Sequence, residues 1–190
     1  MKIVNKVICG AVLSGVFLAN LEAKEYLSFD IGKVNKQEVE AQLTSGEAAF
    51  ETGYGYKGYR DLPMFKVSRY STFGQYGEVE SAWLKFTPDN TLYHLEVSYF
   101  DAGKTYTMFR DALGSKYTLI ENNSFGFNSS HTYQDGEFVI TLQRNEFGFG
   151  RDKKTTLIYQ YQPALSDVNI MQEIIEQDIR DKNAAKAGDL

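Results

Sequence analysis

The chain has 190 residues, 14% of them aromatic, with one cysteine, two histidines and a formal net charge of −5. A chain of this size can bury an adequate core as one domain without covalent staples. Its acidic balance works against binding nucleic acid or anionic lipid through a general field, and the nearest approach to a basic cluster, Arg151, Lys153 and Lys154, is broken by Asp152.

The N-terminus carries Lys2 and Lys6 and then an apolar stretch from Val7 to Ala19, with Leu21-Glu22-Ala23 after it. This is the pattern of a secretory signal peptide, and the stretch is shorter than the roughly 20 residues that span a bilayer. Cleavage after Ala23 is expected, with no stable membrane insertion. A lipoprotein reading fails because Cys9 stands at the front of the apolar stretch with Lys6 where leucine is needed. The expected product is periplasmic or secreted and has no thiol, so its stability does not rest on disulfides. Residues 1–23 are read as the signal peptide, 24–182 as a single α+β domain and 183–190 as a flexible tail.

Asn35-Lys36-Gln37-Glu38 reads as a capping box that opens a short helix, with Val39 and Leu43 on one face and Gly46 as its stop. Gly53, Gly55, Gly58 and Pro63 then break the pattern, so an irregular tyrosine-rich loop is expected before a strand near Phe65 and Val67. Ala82, Leu84 and Phe86 alternate with polar neighbours, a turn follows at Thr87 to Thr91, and Tyr93, Leu95, Val97 and Tyr99 alternate in turn. That is an antiparallel hairpin. Tyr106, Phe109, Leu113 and Tyr117 give the stripe of a second helix, capped at Thr105. A second hairpin follows from Phe138, Ile140 and Leu142 with Leu157, Tyr159 and Tyr161. The last helix, from about Ser166 to Lys182, carries Val168, Met171, Ile174, Ile175 and Ile179. The expected fold is α+β: an antiparallel sheet built from two hairpin segments, helices packed on one face, and a C-terminal amphipathic helix. Its repeating order suggests an internal duplication.

The succession from Asn35 to Leu43, then strands, then Phe109 to Tyr117, then strands, resembles the tandem helix-plus-sheet modules of BamE-type outer-membrane assembly factors and beta-lactamase inhibitor proteins. The resemblance covers most of the mature chain at the level of layout. It implies an exported, non-catalytic binder of other proteins and carries over no individual functional residue. The inhibitors hold disulfides that a cysteine-free product cannot form.

The residues offer little chemistry. His94 lies on a strand and His131 in a polar stretch, neither at metal-ligand spacing from a second ligand. No catalytic residue, metal site or cofactor site is identified, although Ser129 or Ser130 with a histidine, or dispersed carboxylates, could assemble in space. The distinctive feature is an aromatic-glycine-aromatic pattern: Tyr54-Gly55-Tyr56, Phe125-Gly126-Phe127 and Phe147-Gly148-Phe149. With Tyr59 these rings are the candidate partner-binding residues, forming aromatic loops at one end of the sheet for a protein or glycan of the cell envelope. The bland alternative is that the rings fill the core. Two rival functions are an envelope-directed hydrolase using dispersed carboxylates and a complex subunit that docks through its C-terminal helix.

Overall fold

The computed structural model describes residues 25–188, so the expected signal peptide lies outside the described residues. A small hairpin of β1 (Glu25–Tyr26) and β2 (Phe29–Asp30) comes first, followed by α1 (Lys36–Ser45). The capping box forms as read: the Glu38 amide donates to Asn35 Oδ1 at 3.0 Å and the Asn35 amide to Glu38 Oε2 at 2.9 Å. Four strands then run as a meander: β3 (Ala49–Tyr56), β4 (Tyr59–Arg69), β5 (Val79–Phe86) and β6 (Leu92–Tyr99), with the short helix α2 (Ser71–Gly74) between β4 and β5. The order then repeats with α3 (Lys104–Lys116) and the strands β7 (Thr118–Phe125), β8 (Asn128–Asp135), β9 (Phe138–Asn145) and β10 (Lys154–Tyr161). α4 (Leu165–Gly188) closes the chain.

All eight strands from β3 to β10 join one antiparallel sheet in the order β3-β4-β5-β6-β10-β9-β8-β7. Each half is a helix followed by a four-stranded meander, and the last strands of the halves, β6 and β10, pair at the centre. A pseudo-twofold axis through that seam, normal to the sheet, therefore relates the halves. It brings the β3–β4 turn and the β7–β8 turn to diagonally opposite corners.

One face of the sheet is dry. Phe65, Val67, Leu84, Leu95, Val97, Ile140, Leu142 and Leu157 are all at most 1% exposed, and Val39 and Leu43 of α1 and Tyr106, Phe109 and Leu113 of α3 pack with them. Burying each such side chain is worth about 1.5–3 kcal/mol. α4 goes elsewhere. Val168 and Ile175 are buried with Leu62 and Tyr93, which places the last helix over the β3–β4 corner of the opposite face. Tyr93 reaches that face through a β-bulge: Lys85 pairs with His94 but Phe86 with Leu92, leaving Tyr93 as the extra residue.

Four points differ from the sequence expectations. The loop expected before Phe65 is instead the β3–β4 hairpin, disguised by three register shifts that accommodate its glycines and proline. β7 and β8 carry no apolar alternation, since every residue of β7 is exposed, so periodicity could not reveal them. The tail expected from 183 is helical to Gly188, consistent with the high helix propensity of Ala184, Ala185 and Ala187. In α3 the cap is also different: Asp101, not Thr105, accepts the amide protons of Gly103 and Thr105, each at 2.7 Å.

Leu95 stands at the seam between Leu84 and Tyr159 and is fully buried. Leu95→Ala should destabilise the protein by about 2–5 kcal/mol, read from urea unfolding midpoints, because little around it can collapse into the cavity. A loss below about 1 kcal/mol would mean that the seam is not the packed centre described.

Candidate functional site

Among the described residues, the face opposite α1 and α3 is covered only at the α4 corner. Register places Lys66, Trp83, Glu96, Ile158, Thr141 and Thr132 in one row across it from β4 to β8. These side chains are half-buried by their neighbours rather than by a second layer. Trp83 is flanked by the Tyr54 ring, edge-on at 5.2 Å, and by the Lys66 ammonium at 5.7 Å from its ring centre.

The seven aromatic residues singled out by sequence do not form one platform. Tyr54, Tyr56 and Tyr59 belong to the β3–β4 corner. The Tyr56 hydroxyl donates to Glu176 at 2.8 Å and the Tyr59 hydroxyl to Asp178 at 2.5 Å, so both tyrosines clasp α4. Lys57 also reaches Glu176, at 2.7 Å. Phe125 and Phe127 flank the β7–β8 turn and Phe147 and Phe149 the β9–β10 loop, at the diagonally opposite corner, with the Phe127 and Phe147 rings 6.1 Å apart. The glycines within the three patterns also differ in purpose. A side chain on Gly55 would strike the Tyr59 carbonyl, whereas Gly126 and Gly148 hold left-handed turns at φ 58° and 95°.

Among the described residues, two cavities open on this face. One of about 230 Å³ lies beside α4 and is lined by Leu62, Met64, Lys85, Tyr93, His94 and Gln172. The other, a groove of about 450 Å³, lies beside Phe125 and includes Asn123, Asn128, Ser130, Gln143 and Thr156. Neither is lined by a carboxylate, so the hydrolase reading gains no support from them. Sequence reasoning missed the groove because its residues sit on the two strands without apolar alternation and on polar positions of β9 and β10.

The histidines and Ser129 are engaged structurally. His131 meets the Tyr106 hydroxyl through Nδ1 at 2.7 Å and stacks on Tyr133, while Ser129 accepts from Arg144 at 3.3 Å. His94 is buried, with Nε2 3.3 Å from Glu96, which also holds Lys85 at 3.3 Å. Among the described residues no group of three His, Cys, Asp or Glu side chains could hold a metal ion, and no helix is long and apolar enough to cross a membrane.

Burial holds the His94 imidazole below its ordinary pKa, with Lys85 adding to the effect, and this outweighs the opposing pull of Glu96. His131 is lowered too, by burial and by the cations Arg110 and Arg144. The unfolded chain therefore takes up protons first as pH falls below about 6.5, and stability declines from there. Glu96, lowered by its bonds to His94 and Lys85, adds a contribution present above the ordinary carboxylate pKa and lost as pH falls through its lower folded value. The unfolding midpoint should drop between about pH 7 and pH 5, and His94→Gln with His131→Gln should flatten that slope. An unchanged slope in the double variant would show that neither histidine is the linked group.

No protein-family model, curated protein or solved structure matches this chain.

Proposed function

We propose that this is an exported, non-catalytic binding module that recognises a protein or glycan of the cell envelope through the aromatic loops at one corner of its sheet and the bare face beside them. The observation that carries the reading is the exposure of four phenylalanines on two neighbouring loops: Phe125 88%, Phe127 61%, Phe147 69% and Phe149 92%. Each ring left in water forgoes roughly 1.5–3 kcal/mol of burial, and clustered exposed apolar groups mark interaction surfaces. Export is supported by the pairing of Lys2 and Lys6 with the apolar stretch from Val7 to Ala19. The repeated helix-plus-sheet layout fits the resemblance to exported binding modules. Tyr56 and Tyr59 instead anchor α4 through Glu176 and Asp178, and Tyr54 lies edge-on to Trp83.

A second reading draws on α4 itself. Ile170 and Ile174, one turn apart on its outer side, are each 56% exposed and would suit a subunit that docks through its C-terminal helix.

Affinity capture from the native envelope fraction separates the two, using the wild-type protein, a variant with all four phenylalanines changed to alanine, and Ile170→Ala with Ile174→Ala. All these positions are exposed, so both variants should keep the wild-type unfolding midpoint. The phenylalanine variant should lose a specific co-purifying species by at least about tenfold, while the isoleucine variant keeps it. The reverse pattern would move the site to α4, and retention by both variants would reject both readings.

A further inference from the structure

The two cavities of the open face occupy the same place in the two halves of the fold. The row through His94 runs outward through Lys85 and Met64 to Tyr54, one step inside the Tyr56–Tyr59 hairpin tip. The row through Thr156 runs outward through Gln143 and Ser130 to Asn123, one step inside the Phe125–Asn128 tip. The pseudo-twofold axis therefore sets Thr156 against His94, Gln143 against Lys85, Ser130 against Met64 and Asn128 against Leu62.

Chemistry separates the equivalent corners. At the first, Leu62 joins the bulged Tyr93 in an apolar seat, and α4 fills it with Val168 and Ile175. At the second, the corresponding floor is mainly carboxamides and hydroxyls, and none of the described residues covers it. An amphipathic helix placed there would bury polar groups under apolar side chains without partners, at a cost of about 1–3 kcal/mol for each. The second corner is therefore unsuited to a copy of α4.

The same floor suits a polyhydroxylated ligand. Each carboxamide offers both a donor and an acceptor, the pair that matches neighbouring sugar hydroxyls, and the side chains of Asn128, Gln143 and Ser130 have no hydrogen-bond partner among the described residues. Phe125 stands at the rim with an almost fully exposed ring, a flat surface for the apolar side of a pyranose. No carboxylate lines the groove, and each of its two cations is paired with a carboxylate outside the lining, Lys154 with Glu80 at 2.5 Å and Arg144 with Glu146 at 3.3 Å, so the site has little net charge. An extended peptide gains less here, because the main-chain groups of β8, β9 and β10 within the groove are already spent on the sheet ladder. The groove's volume of about 450 Å³ lies in the range of small-ligand sites.

The geometry points to this groove, between Phe125 and Thr156, as a binding site for a neutral oligosaccharide. The assignment rests on the binding-module reading above and names its ligand class as a glycan.

Side-chain amide spectra of the purified protein provide the test, with maltotriose, cellotriose and tri-N-acetylchitotriose each titrated to about 10 mM, beside a synthetic peptide of residues 165–182. At least one sugar should give saturable shifts at the Asn123, Asn128 and Gln143 amides. Asn128→Ala with Gln143→Ala should weaken that sugar at least about tenfold without changing the unfolding midpoint, since both side chains are exposed. The contacts are generic to pyranose chains, so silence from all three sugars would overturn the assignment, as would binding of the peptide at these amides. If the sugars are silent but the phenylalanine variant still loses its captured envelope species, the glycan assignment alone fails. If that capture is also unaffected, the binding-module reading falls with it.

Discussion

β6 and β10 exchange main-chain hydrogen bonds from Tyr99 with Thr155 to His94 with Gln160, and among the described strands the two halves of the sheet join only there. The ladder has two unlike sides. Toward α1 and α3 it presents Leu95, Val97, Leu157 and Tyr159, all buried. On the other side it presents Glu96, Ser98, Thr156 and Ile158, with His94 and Gln160 beside α4. A slip of one residue would exchange these sets and strand the core in water, so this register fixes which face is packed and which stays available. The Ser98 and Thr156 hydroxyls, 3.0 Å apart, add a polar contact on the open side.

Around this seam the halves share a layout but divide the work. The first half gives its free corner to α4, through Leu62 and Tyr93 below and through the Tyr56 and Tyr59 hydroxyls at the hairpin tip. The second half leaves the equivalent corner uncovered by any described residue, with Phe125 at its hairpin tip where the first has Tyr56. A ring with a hydroxyl can be tied to a carboxylate of the same chain, as Tyr59 is to Asp178. A ring without one has no such tether and remains free for another molecule.

Much of this was legible in the sequence where burial writes a period. Val39 and Leu43, Leu84 and Leu95, Tyr106 and Phe109, and Ile140 and Leu157 each stood on the expected faces, because a packed face imposes its spacing on the residues that fill it. The C-terminal stripe of Val168 and Ile175 was equally plain, but not the face it would choose, since that depends on Tyr93 being turned by a bulge that no local signal marks. β7 was invisible for the opposite reason: with all its residues exposed, nothing constrains their polarity. The candidate site divided along the same line. The aromatic-glycine-aromatic pattern was visible, but which rings would be tethered and which left free follows from pairing order, and the carboxamide groove lies among residues whose polarity resembles that of ordinary loops.

The two outer strands of the sheet also set how this molecule can mis-assemble. β7 offers an outer rim of main-chain groups with no strand partner, broken by one register shift between Leu119 and Glu121, which in a crowded solution is a template for another chain. Two copies that joined back to back through β7 would consume that rim in both. To grow further they would have to use β3, whose three register shifts withhold the regular ladder that filament growth requires, so accidental association of this kind ends at pairs.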